Sequence, residues 1–134
     1  MTVDLPDPKT IGSTSQWVEA NSKIATTVRA LDALWLKQEP GSSEWKSTQT
    51  ALETATQCWS DVKAVRLSLL NQEIKKASTV AELKSWSDKL KTAADAVIEA
   101  TKSVSAATEV VNRVTTLVAQ VSGLLSVFAR FSAL

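Results

Sequence analysis

The chain has no histidine, one cysteine, three glycines and three prolines in 134 residues. Each shortage removes a class of chemistry. Without histidine there is no Ser-His or Cys-His catalytic pair and no imidazole metal ligand. Cys58 alone makes neither an internal disulfide nor a multi-cysteine zinc site. Its ordinary place is that of a small, half-buried apolar side chain. Scattered glycines do not build a phosphate-cradling loop. Di-iron bundles use Glu-x-x-His, which is missing. Calcium or magnesium would want a clustered acidic loop, and Asp4 and Asp7 in a proline-containing arm match that poorly. The expectation is a protein without catalytic, cofactor-binding or metal-ligating residues and without a small-molecule substrate.

Charge of one sign is also scarce. Fifteen Lys and Arg face 14 Asp and Glu, a net charge of +1. That balance argues against a nucleic-acid partner, whose affinity would come from many phosphate contacts. The basic side chains Lys63, Arg66, Lys84, Lys89 and Lys91 interleave with Asp61, Glu82 and Asp88. This reads as a solvated, mixed-sign helix surface. Met1 to Thr10 lacks the basic start and apolar run of a secretory signal. The location expected is therefore cytoplasmic, or export by a route that does not read such a signal.

What the sequence does have is apolar periodicity. Hydrophobic residues make up 44% of the chain, enough for one folded domain. Residues 1–14, with Pro6, Pro8 and Gly12, read as an irregular arm, and residues 15–134 as a helical bundle. A first helix is expected over about 15–38, where Trp17, Ala20, Ile24, Val28, Leu31 and Leu34 share one face. Pro40-Gly41-Ser42-Ser43 is a turn signal. A second helix follows over about 43–76. Its seam of Trp45, Leu52, Ala55, Trp59, Val62 and Leu69 is interrupted by Thr48 and Arg66.

The third segment carries the clearest pattern. Thr79 and Glu82 match a capping box. From there Leu83, Trp86, Leu90, Ala93, Val97, Ala100, Val104, Ala107, Val111, Val114, Val118, Val121, Leu125 and Phe128 recur in unbroken three- and four-residue steps. Such a run argues for one coiled-coil-like helix over about 79–134. The fold expected is all-α: an antiparallel bundle of three helices, made neighbours by short turns, with a long C-terminal helix. The alternative is a four-helix up-down bundle in which Val114 to Leu134 folds back.

If the third helix is straight, Val114 to Leu134 outruns the first two by roughly 32 Å at 1.5 Å per residue. It is the most apolar stretch of the chain, with Arg130 as its one charged residue. Soluble monomers rarely leave such a surface bare. Three covers follow: another copy or a partner helix, a membrane, or the chain itself. Ala119 and Gly123, at four-residue spacing, would allow close helix approach. The functional expectation is a non-enzymatic structural or assembly protein. It would form a homo-oligomer or bind a helical protein partner through Val111, Val114, Val118, Val121, Leu125 and Phe128. Two alternatives stand beside it: a membrane-active protein, such as a pore-forming component or membrane-docking helix, and a monomeric four-helix adaptor or immunity-type binding protein.

Overall fold

The computed structural model describes residues 14–70, 77–103 and 107–132. Residues 1–13 of the N-terminal arm lie outside the described residues, as does the end of the expected second helix. The fold is all-α, with four helices among the described residues: α1 (Ser15–Lys37), α2 (Ser43–Leu70), α3 (Ala77–Ala100) and α4 (Ala107–Ser132). No strand occurs among the described residues.

The α1–α2 connection follows from its turn residues. Ser42 N–H donates to the Glu39 carbonyl at 3.1 Å. Gly41, with φ of 84°, takes the third place of the turn after Pro40. Proline then glycine at the two centre positions is the signature of a type II turn. Ser42 caps the next helix, its Oγ accepting from Trp45 N–H at 3.1 Å. Trp35 and Trp45 stack across the hairpin with ring centroids 5.0 Å apart.

The expected single helix over 79–134 is two helices. After Ala100 the chain tightens through i to i+3 bonds, Lys102 N–H to Glu99 and Ser103 N–H to Ala100. The Thr101 hydroxyl donates to the Ile98 carbonyl at 2.6 Å. Ser and Thr compete for backbone groups in this way and weaken a helix without glycine or proline. Breaking the rod forgoes a few helical hydrogen bonds at about 1 kcal/mol net each. It lets α4 bury Val110, Val114, Leu117, Val121, Leu124 and Val127. At roughly 1.5–3 kcal/mol per buried side chain, docking outweighs continuity. The four-helix alternative is therefore the arrangement found, and the α4 line of Val114, Leu117, Val121, Leu124 and Val127 is shielded by its own chain.

The order around the bundle is α1, α2, α4, α3. α2 and α3, expected as antiparallel neighbours, stand across a diagonal. Two hairpins, α1–α2 and α3–α4, lie side by side, so α1 runs parallel to α3 and α2 parallel to α4. The parallel sense shows in the pairing of Glu19 with Lys91 and of Lys23 with Asp95. The core has two parts. One gathers Trp17, Ile24, Val62, Leu69, Leu83, Leu90, Leu117 and Leu124. The other gathers Leu31, Leu34, Ala51, Ala55, Val97, Val110 and Val114. Trp86 of α3 lies over Gly123 of α4, where an added Cβ would run into the indole. The ammonium of Lys89 sits 4.2 Å from the centroid of the same ring.

Candidate functional site

The site grows from the way α2 and α4 meet. The line α2 buries is Thr48, Ala51, Ala55, Cys58, Val62, Val65 and Leu69. That of α4 is Val110, Val114, Leu117, Val121, Leu124 and Val127. On the flank of each line lie the residues that face one another across the seam. Ser47 and Thr54 of α2 line it together with Val111 and Val118 of α4, and a second stretch is lined by Thr54, Asp61, Val118 and Leu125. Short side chains on both walls leave a trough. Two adjoining cavities of about 360 and 370 Å3 share Thr54 and Val118 and make one groove.

Of the six interface residues expected from sequence, the structure brings five to this groove. Val111, Val114 and Val118 line its upper half, and Val118, Val121 and Leu125 its lower half. Val114 and Val121 are 4% and 3% exposed, so they belong mainly to the chain's own core. Val111 and Leu125 remain 39% and 37% exposed and form the rim. Phe128 is partly buried against the first core cluster and is not among the lining residues. Sequence reasoning missed the α2 wall, which consists of Ser47, Thr50, Ala51, Thr54, Glu53, Gln57, Cys58 and Asp61. The signal available was the run of small polar residues one step off the α2 seam.

The two halves differ in electrostatics. The upper half has no charged side chain. The lower half carries Glu53 and Asp61, both on α2, and no Lys or Arg. Gln57 Nε2 donates to Asp61 Oδ1 at 3.0 Å and holds that carboxylate on the rim. Burial pushes the Cys58 thiol up to about 11, with the Asp61 charge adding to the shift. A thiol held neutral is a poor nucleophile. The cations of α4 turn the other way. Arg113 pairs with Glu109 at 2.6 Å and donates to the Ala96 carbonyl of α3 at 3.0 Å. Arg130 reaches Glu82 of α3 at 3.5 Å.

A further cavity of about 390 Å3 lies between α3 and α4, lined by Ser85, Asp88, Lys89, Thr92, Ala93, Ala96, Thr116 and Gln120. Its lining carries one charge of each sign, Asp88 and Lys89. Among the described residues no group of three Cys, Asp or Glu converges. No protein-family model, curated protein or solved structure matches this chain.

Proposed function

We propose that the protein is a non-enzymatic interaction module that lays an apolar helix, from a second copy or from another protein, into the groove between α2 and α4. One observation carries this reading. Val111 and Leu125, both exposed, and the partly buried Val118 line a continuous trough beside Val114 and Val121. From Ser47 and Val111 to Asp61 and Leu125 the trough is roughly 21 Å long at 1.5 Å per residue, about four helical turns. Covering a few hundred Å2 of apolar surface is worth several kcal/mol at ~25 cal/mol per Å2, before the costs of association.

The test replaces Val111 and Leu125 together by Asp. Both sit on the rim, so helicity and thermal midpoint stay close to the parent's. Binding of an amphipathic Leu/Ala helical peptide, or growth of mass with concentration, is abolished. The reading fails if the parent protein neither gains mass at high micromolar concentration nor binds such a peptide.

A second reading, a membrane-active helical protein, rests on α4 itself. Ala107–Arg130 is long and apolar enough to cross a membrane by length and composition, though 33% of that window is buried in the bundle. Flotation with neutral and anionic vesicles separates the two. Co-flotation that persists in the Val111 and Leu125 double variant favours the membrane.

A further inference from the structure

The groove is not neutral along its length, and the asymmetry says what kind of helix it takes. Glu53 and Asp61 lie eight residues apart on one face of α2, two turns along the same wall, with Gln57 between them. Neither half of the groove is lined by a Lys or an Arg. On that wall the carboxylates have no cation of the groove's own to face, while the floor of Ala51, Val114, Val118 and Val121 is apolar. Resting on the reading of the groove as a helix seat, we infer that its occupant is an amphipathic helix of another protein. One flank of that helix carries Lys or Arg seven or eight residues apart.

A second copy of this chain fits worse. The outward positions Asn112, Thr115, Thr116, Ala119, Ser122, Ser126 and Ala129 of its α4 carry no charge, so a copy that lays this face in the groove brings no cation to it. The α4 arginines are engaged with Glu109, with the Ala96 carbonyl and with Glu82. A copy laid in the groove would desolvate Glu53 and Asp61 with nothing to pair them. Burying an unpaired charge costs more than the apolar contact beside it returns. A basic flank turns the same two carboxylates into rim pairs that fix the register and orientation of the incoming helix.

The experiment uses the full chain and two synthetic helical peptides with the same Leu/Ala stripe. One carries lysines two turns apart on one flank, and the other glutamates at the same positions. Binding is read by fluorescence anisotropy at low and high salt. The lysine peptide is expected to bind roughly tenfold more tightly, from two rim pairs of modest strength. The gap narrows at high salt. Glu53→Lys with Asp61→Lys reverses the preference, and Glu53→Gln with Asp61→Asn removes it. The inference is overturned if the two peptides bind the parent equally. It is also overturned if the preference survives both double variants, or if neither peptide binds while the chain's own mass rises with concentration. Equal binding that is still lost in the Val111 and Leu125 double variant spares the groove and sinks only the charge argument. Binding unmoved by that variant sinks the groove itself.

Discussion

The bundle has two parallel seams on opposite sides, and they are finished differently. Where α1 meets α3, long charged side chains lie across the junction. Lys23 reaches Asp95 at 2.7 Å and Lys91 reaches Glu19 at 3.6 Å. Beneath them the Thr27 hydroxyl donates to the Lys23 carbonyl at 2.9 Å and lies 3.3 Å from that of Ala94. Where α2 meets α4, most flanking positions are short, Ser47, Thr50, Thr54, Thr115 and Ser122, and the longer Glu53, Gln57 and Asp61 all stand on α2 with no cation opposite in the groove. Among the described residues no ion pair joins these two helices. The backbones do the same thing on both sides. The difference is side-chain length: aliphatic stems of Lys cover apolar ground while their heads stay wet, and Ser, Thr and Val cannot. One seam is closed by its own edges and the other is left as a trough.

Three experiments break or sharpen that contrast. The largest effect belongs to the core the seams share. Leu117→Ala, at a fully buried α4 position, should cost about 2–5 kcal/mol, as should Ile24→Ala on α1. Chemical denaturation measures both. A loss at Leu117 within the range of a surface change would mean that α4 is not docked as described.

Two threonines give the middle effect, with opposite signs. Both are fully buried. Thr27 has carbonyl partners at the closed seam, whereas the Thr48 hydroxyl on α2 has none among the described residues. Thr27→Val should therefore lower stability by about 1 kcal/mol, and Thr48→Val should raise it by a similar amount. Equal signs for the two in paired thermal melts would remove the distinction drawn between the helices.

The smallest effect is at the ion pairs. Lys23→Ala and Lys91→Ala should each lower the thermal midpoint slightly, and the loss should fade at high salt because these groups are solvated. The hydrogen bond and charge of Asp95 raise the Lys23 ammonium above its ordinary 10.5. A cation stabilised in the folded state contributes fully below that value, and the contribution is lost as pH rises through the folded one. The Lys23→Ala difference in midpoint should accordingly shrink in strongly alkaline solution. A difference that grows there would show the pair to be unimportant.

The sequence was legible as far as helix identity and failed at helix rotation. Trp17, Ala20, Ile24, Leu31 and Leu34 are buried as the α1 period requires, with Thr27 replacing Val28. On α2 the polar Thr48, an interruption of the seam by apolar periodicity alone, is part of the buried line, and Leu52 and Trp59 flank it. On α4 two interlocking apolar frames exist. One runs through Val111, Val118 and Leu125 and continues the α3 period without a break. The other runs through Val110, Leu117 and Leu124, and the core uses that one. A helix apolar over so broad an arc satisfies either frame, so periodicity alone chooses the longer run. The turn at Thr101 and Lys102 was hidden because it has no glycine or proline and because the spacing across it suits an uninterrupted helix. The α2 wall of the groove is mostly small and polar, with Ala51 and Cys58 its apolar members, so hydrophobic periodicity does not mark it.

Something must therefore choose between the two frames of α4, and the Trp86 indole over Gly123 is suited to the task. It works as a key in a keyway. Sliding α4 by one turn would bring Ala119 or Val127 beneath the ring, and rolling it to turn the other frame inward would carry the only hydrogen side chain of the helix away from it. A single missing methyl on α4 thus favours the rotation that leaves Val111 and Leu125 at the surface, on another flank of the same helix.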